Sequence, residues 1–232
     1  MPISEENLKW ARRFLKRINV KYKFQWEVYY EVLNQYLRNA KVWVDVGCGR
    51  NEGVFLYGRG KIAVGLDLRI HPRLLDHRLV IGNIYHLPFR RGSLDTVSAS
   101  WVLEHIENIE TAFLEISRVL KRGGHFVAIV PNINSLTVSL ARILPKRIKD
   151  FLLTKLYDVD EGDVFPAFYR FNNVRRIKKG YKGLKCVKLI VHQDVAVNRR
   201  WLFLCMLSYD QLINILSLRR FKSNLTFVYT KV

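Results

Sequence analysis

Cysteine is scarce. Cys48, Cys186 and Cys205 are the three in 232 residues, odd in number and far apart, so neither a disulfide framework nor a cysteine-built metal site is expected. No carboxylate cluster with a divalent-metal pattern stands out, and no metal is expected. No apolar run approaches the ~20 residues that cross a bilayer as a helix. The densest, Trp201–Leu207, is bracketed by Arg199, Arg200 and Asp210. The first residues, with Glu5, Glu6, Lys9, Arg12 and Arg13, lack the apolar core of a secretory signal. No internal repeat or low-complexity linker interrupts the chain. The expectation is a cytoplasmic protein, with the periphery of a membrane as an extension that its charge permits.

Acidic residues are also in short supply, 20 against 39 lysines and arginines, for a formal charge of +19. The imbalance is uneven: +4 in residues 1–40, +3 in 41–140 and +12 in 141–232. Two readings stand side by side. One is a well-solvated basic surface. The other is attraction to a polyanion: a phosphorylated substrate, an anionic membrane surface, or RNA. A hydrophobic content of 49% with 25% charged residues is globular, and the length suffices for one substantial core.

The segment Val42–Gly53 is the most informative. A β-branched run ends in Asp45 and breaks into Gly47-Cys48-Gly49, the pattern of a buried strand feeding a tight loop. A second apolar run from Ile62 ends in Asp67, where an acid can accept both hydroxyls of a ribose. A nucleoside-containing cofactor is implied. A dinucleotide site wants Gly-x-Gly-x-x-Gly, but here Glu52 takes the third glycine position. Asp45 and Glu52 would oppose a pyrophosphate and suit an ammonium and a sulfonium. Spacing and charge favour S-adenosylmethionine over NAD.

Four motifs follow in order: Val44–Gly49, Val64–Leu68, Gly82–Phe89 (Gly-Asn-Ile-Tyr-His-Leu-Pro-Phe) and Leu94–Ile106, which includes Ser100-Trp101 and Glu104-His105. A fifth, Ile116–Phe126, reads as helix, double-glycine turn and strand. Over residues 40–132 the chain resembles the class I S-adenosylmethionine-dependent methyltransferases of the type 11 group, which includes ubiquinone/menaquinone-biosynthesis enzymes. The resemblance implies an α/β fold: a Rossmann-like seven-stranded sheet with helices on both faces, its last strand antiparallel and inserted beside the sixth.

Periodicity places helices at Ser4–Ile18, capped by Ser4, and at Trp26–Leu37, whose tyrosines pack on the sheet or cover the cofactor mouth. Strands are expected at 42–46, 62–67, 78–81, 95–100 and 126–130. Asn108 is a candidate cap for a helix Ile109–Leu120 that stops at Gly123-Gly124. Residues 132–171 read as a lid insertion: a helix Ser135–Leu144, a break at Pro145, and the acidic loop Asp158–Asp163. A basic helix Asn172–Lys179, a strand-rich stretch Leu184–Val197, a helix Trp201–Leu218 and a strand Asn224–Lys231 complete the chain. The organisation expected is one domain: N-terminal helices 1–40, cofactor core 41–131, lid 132–171 and basic C-terminal part 172–232.

By the resemblance, Gly47, Cys48 and Gly49 form the turn beneath the methionine portion, and Asp45 holds its ammonium directly or through water. Asn51 stands where many relatives have glycine. Asp67 takes the ribose hydroxyls and Leu68 the adenine face. Asn83 replaces the usual adenine-reading aspartate, and the Ile84 N–H donates to the ring. Ser100 and Trp101 contact cofactor or substrate, whereas Asp95 reads as a structural turn acid. His105 is the candidate general base, with packing or helix capping as the equal alternative. Tyr169 and Arg170, in the aromatic cluster Phe165–Asn172, are candidates for the acceptor pocket, with Phe165, Phe168 and Phe171 as lid core.

Absences narrow the chemistry. Ser-Ala-Ser-Trp after the fourth strand carries no clamp for amino groups of adenine or glutamine. No cysteine stands there or beside Pro131 for covalent pyrimidine methylation. The expectation is a methyltransferase for a small or lipid-linked, anionic acceptor. The alternatives are an RNA methyltransferase using Arg175, Arg176, Lys178, Lys179, Lys182, Lys185 and Lys188 as a phosphate-tracking stripe, and a cofactor-binding protein without catalysis.

Overall fold

A computed structural model describes residues 5–144 and 166–232. The Ser4 cap, the Pro145 break, the acidic loop Asp158–Asp163 and Phe165 lie outside the described residues, and with them much of the expected lid. In chain order the elements are α1 (Glu5–Arg17), α2 (Gln25–Leu37), β1 (Val42–Val46), α3 (Glu52–Tyr57), β2 (Ile62–Asp67), β3 (Leu79–Ile81), β4 (Leu94–Ser100), α4 (Ile109–Val119), β5 (Leu120–Pro131), α5 (Leu136–Ile143), α6 (Val174–Lys179), β6 (Leu184–His192), α7 (Arg200–Ile215) and β7 (Asn224–Lys231). One turn of 3-10 helix covers Leu103–His105.

The strands form one seven-stranded sheet in the order β3-β2-β1-β4-β5-β7-β6. β1 pairs in parallel with β2 on one side and β4 on the other. The chain therefore leaves β1 in one direction, returns, and continues in the opposite direction, opening a crevice beyond the carboxyl end of β1. β1 and β4 are buried nearly throughout, as strands covered on both faces require. β7 enters last, between β5 and β6. His125 meets Thr230 and the Asn132 N–H meets the Ser223 carbonyl, so β5 and β7 run in opposite directions.

The chain folds into two compact units. One, Tyr29–Pro131 with Ala167–Ile190 and Leu225–Val232, carries the cofactor motifs. Trp43, Leu33, Val54, Val127 and Ile129 are buried at its centre, with Tyr29 of α2 among them. The α2 tyrosines pack on the sheet, and Tyr30 stacks on Tyr57 with centroids 4.9 Å apart. A second aromatic group joins Phe113, Phe171, Tyr181, Phe227 and Tyr229, with Phe113 and Tyr181 stacked at 4.3 Å. Phe171 is fully buried against α4 and β7, whereas Phe168 is exposed. The other unit gathers the described residues of 1–28, 132–166 and 191–224. There Ala11, Leu15, Phe24, Phe203, Met206 and Leu207 form the core.

Two junctions differ from the reading of the sequence. The helix begins as expected, the Asn108 side chain accepting from the Thr111 N–H at 3.2 Å, but it ends at Val119 because Leu120 is already extended. The glycine pair lies inside β5. Pairing with β4 steps from Leu94–Leu120 to Thr96–His125, so Gly123-Gly124 belong to a bulge that absorbs three extra residues. The strand expected over 184–197 ends at His192.

Candidate functional site

The loop after β1 is held to the end of β2 by its own backbone. The Gly47 and Cys48 N–H groups both donate to the Leu66 carbonyl, at 2.7 and 3.2 Å. The next amide, that of Gly49, donates to Asp67 Oδ2 at 2.8 Å. Asp67 Oδ1 accepts from the Leu68 N–H at 2.7 Å. The carboxylate is thus oriented by two amides, and each oxygen retains a lone pair for a further donor. Gly47 has φ +67°, and a side chain there would be driven into Val102. Gly49 has φ +51°, yet a Cβ there meets nothing within 4 Å. Glycine at 47 is demanded by packing, while at 49 the backbone faces open space.

Asp45 lies just before this loop and is buried. Its Oδ1 accepts from the Ser98 hydroxyl at 2.5 Å, and Ser98 Oγ in turn accepts from the Trp43 indole N–H at 2.8 Å. Burial pushes the carboxyl up to about 7, against the lowering effect of the Ser98 hydrogen bond, and the nearby Asp67 charge pushes the same way as burial. A cationic partner would restore its ionised form. Burial likewise pushes the Cys48 thiol up to about 12, so it remains a protonated, non-nucleophilic group.

Asn51 needs a correction. Its side chain has no exposed surface, and Nδ2 donates to the Asp76 and Arg78 carbonyls at 3.0 Å each. It ties the loop to the approach to β3, and so shapes the site from below without presenting its amide to a ligand. A Cβ at Gly65 would collide with Asn51 Oδ1 and Cys48 Sγ, so the asparagine occupies space that only glycine at 65 leaves open. Asn51 itself has φ +60°, the left-handed conformation asparagine tolerates better than most residues.

Leu68, just beyond β2, is 67% exposed and presents an aliphatic surface. Asn83 is exposed and its Oδ1 accepts from the Tyr85 N–H at 3.0 Å, an Asx turn. Ile84, next in the turn, is buried. Aspartate at 83 can make the same turn and adds a negative charge. Asn83→Asp is therefore expected to hold or raise affinity for S-adenosylhomocysteine in calorimetry; a tenfold loss would mean the amide nitrogen is needed.

Ser100 ends β4, and the backbone then turns through Trp101 at φ +59°. A bulky residue in the left-handed region costs on the order of 1–3 kcal/mol and marks a place where the fold imposes a side-chain direction. The half-buried Trp101 rests against the core cluster. Asp95, at the other end of β4, accepts from the Lys41 and Val42 amides and pairs with Lys121, the structural role expected of it.

The short 3-10 turn brings in two neighbours. His105 is half-buried, with its N–H on the Val102 carbonyl. Glu104, which was not singled out as a site residue, is 5% exposed, and its Oε2 has no hydrogen-bond partner. Burial pushes its carboxyl up to about 8. The Glu104 carbonyl accepts the N–H groups of Phe168 and Tyr169, at 2.7 and 3.2 Å. Tyr169 has φ +50°. The turn after β4 and the Tyr169-Arg170 segment, remote in sequence, are thereby joined.

Arg170 lines a cleft of about 1110 Å³ with Tyr85, His86, Arg176, Lys179 and Lys182. Glu107 and Glu110 also face it, so the lining is net basic. The Tyr85 hydroxyl accepts from the Glu107 and Asn108 amides at 3.2 Å, which anchors the Asn83–His86 turn to the start of α4. The lining of the cleft does not include the glycine loop or Asp67. Of the basic residues read as one stripe, Lys185 and Lys188 project from opposite faces of β6, and Lys188 Nζ donates to Gln35 Oε1. They do not continue the cleft.

A mixed seven-stranded sheet with a β1 switch point, a glycine loop at its carboxyl end and an acid closing β2 is the class I methyltransferase fold. Residues 44–128 match the family model described as a methyltransferase domain. An uncharacterized protein of Methanocaldococcus jannaschii is 29% identical over 159 residues, 62% of each chain. The demethylmenaquinone methyltransferase of Symbiobacterium thermophilum is 26% identical over 155 residues, 55% of this chain and 61% of that one. The match thus spans less than two thirds of these relatives. Among solved structures, the geranyl diphosphate C-methyltransferase of Streptomyces coelicolor A3(2), with S-adenosyl-L-homocysteine and geranyl diphosphate, superposes with a TM-score of 0.55 at 17% identity. That superposition covers 100% of this chain and 86% of that one. An S-adenosylmethionine-dependent methyltransferase of Mesorhizobium loti gives 0.52 at 15% identity, covering 84% and 93%. At such identities the likeness is one of fold.

Proposed function

We propose that the protein transfers a methyl group from S-adenosylmethionine to a small or lipid-linked anionic acceptor. The observation that carries the cofactor half is the Gly49 N–H held on Asp67 Oδ2, beside the open space at Gly49. A ribose fits on an oriented carboxylate, and the acidic set Asp45, Glu52 and Asp67 suits a ligand bearing an ammonium and a sulfonium. When bound, the cofactor supplies an already reactive methyl group. The chain's own task is to align an acceptor and exclude water. Ser100, Trp101 and His105 stand at the carboxyl end of β4, and Tyr169 is tied to the same turn through Glu104.

The acceptor half rests on the cleft. Arg170, Arg176, Lys179 and Lys182 outnumber its two carboxylates, which favours a carboxylate- or phosphate-bearing acceptor. Incubation with radiolabelled cofactor and separate small-molecule, lipid and RNA pools tests the reading. Label in an anionic small-molecule or lipid fraction supports it; label in RNA alone overturns the acceptor class. Cofactor binding with no label in any pool would favour a non-catalytic protein.

Within α6 the cleft separates two kinds of cation. Arg176 and Lys179 line it, whereas Arg175 and Lys178 do not. Changing the first pair to glutamine should raise the acceptor KM several-fold, more weakly at high salt, and leave cofactor affinity unchanged. The Arg175→Gln/Lys178→Gln protein should behave as wild type. Equal effects from both pairs would mean that only overall charge matters.

A further inference from the structure

Helix α7 is apolar on both of its faces. Phe203, Met206, Leu207 and Ile213 are buried in the core of their unit. The outward positions are Trp201, Leu204, Cys205, Ser208, Leu212 and Ile215, every one of them exposed. At 100° per residue these six fall within an arc of about 100°, one stripe along the whole helix. Exposure reaches 58% for Trp201, 53% for Leu212 and 79% for Ile215, and Leu216 adds 55% just beyond the helix end. No charged side chain interrupts the stripe. The acid within the helix, Asp210, is turned inward and paired with Lys222 at 2.7 Å. A helix with two apolar faces needs a second partner besides its own core.

Charge identifies that partner. The stripe is bracketed by exposed arginines, Arg199 and Arg200 before it and Arg219 and Arg220 after it. In the same unit α1 packs beside α7, Trp10 and Phe14 each meeting the Phe203 ring. Next to those two rings α1 presents Arg13, Lys16 and Arg17. An apolar stripe rimmed by cations, with a tryptophan at one end, is the composition of a helix lying in the headgroup region of an anionic bilayer. Against a second copy of the chain the same arginines are unfavourable, because an antiparallel pairing of two α7 helices would bring Arg199 and Arg200 onto Arg219 and Arg220. The helix is 16 residues long, and among the described residues no helix is long and apolar enough to span a membrane. The contact is therefore with the surface.

We infer that the outer stripe of α7 docks this protein on anionic phospholipid membranes. The inference stands whatever acceptor is methylated, and it uses none of the residues of the cofactor loop or the cleft. Vesicle flotation of the full chain tests it, with vesicles of phosphatidylcholine and phosphatidylglycerol at 7:3 and of phosphatidylcholine alone. The wild-type protein should float with the anionic vesicles and remain largely behind with the neutral ones. Its partition should fall at 0.5 M salt as the attraction is screened. The Leu212→Gln/Ile215→Gln/Leu216→Gln protein changes only exposed positions and should keep its circular dichroism, yet its partition should drop at least tenfold. Brominated acyl chains should quench the wild type more than Trp201→Phe.

Several results overturn the inference. One is a wild type that stays in solution with both vesicle types. Others are a triple variant that floats as well as the wild type, and quenching identical in Trp201→Phe. A wild-type dimer that the triple variant splits, without vesicle binding, would assign the stripe to a second copy instead.

Discussion

Asp67→Ala should lower affinity for S-adenosylhomocysteine by about 10- to 150-fold in calorimetry, the equivalent of the 1.5–3 kcal/mol typical of hydrogen bonds to a charged group. Two losses coincide. In the proposed complex the ribose hydroxyls lose their acceptor, and the Gly49 N–H loses the oxygen that holds it at 2.8 Å. Asp67→Asn should fall between, because one carbonyl oxygen still accepts from a backbone amide. Asp67 closes β2 and is only partly buried, so the alanine protein should fold. Unchanged affinity in a folded protein would remove Asp67 from the cofactor site.

The second large effect is on pH-dependent stability. Burial pushes Glu104 up to about 8 and Asp45 up to about 7, well above their values in an unfolded chain. The folded protein then holds protons that the unfolded chain has released. Stability from these groups is complete below the unfolded carboxyl range and is lost as pH rises through 7 and 8. His192, which burial pushes down to about 4, acts oppositely but only below its ordinary value of 6.5. Between pH 6.5 and 8.5 the carboxyls dominate, and Tm should fall. Glu104→Gln removes the largest contribution, on the order of 1–2 kcal/mol across that interval, or a few degrees in Tm. The variant should be more stable than wild type at pH 8.5, with a flatter profile. An unchanged profile would mean that Glu104 has a partner or solvent access in solution that keeps its carboxyl ordinary.

Most of the candidate cofactor site was legible. β1, β2 and β7 agree with the strands read from uninterrupted or alternating apolar runs, because burial on both faces leaves that pattern in composition. Asp67 was legible for the same reason, as a charge ending such a run. Glu104 was visible as half of a Glu-His pair, but nothing local reveals that its carboxylate is buried, or that its carbonyl takes the amides of the remote residues Phe168 and Tyr169. Asn51 was legible as a departure from glycine in the loop, but not its partners, because the carbonyls that capture its amide, at Asp76 and Arg78, lie a strand away. The end of α4 was misplaced because glycines usually stop helices, whereas here a bulge had a use for them. The outer stripe of α7 was concealed by its own composition: a helix this rich in apolar residues reads as core, and only exposure distinguishes its two faces.

The place of β7 has a consequence for synthesis of the chain. β6 leaves the ribosome some thirty residues before β7, yet has no neighbour in the sheet until β7 arrives to lie between it and β5. Until residues 224–231 emerge, β5 presents an open edge of unpaired amides and carbonyls, and β6 has nothing to pair with. Closure must then bring β7 back against a strand about a hundred residues earlier, a long loop to close and a slow step. A nascent chain stalled shortly before Asn224 should thus be a good client for chaperones that bind exposed strands, and its protease resistance should rise abruptly once the last strand is free.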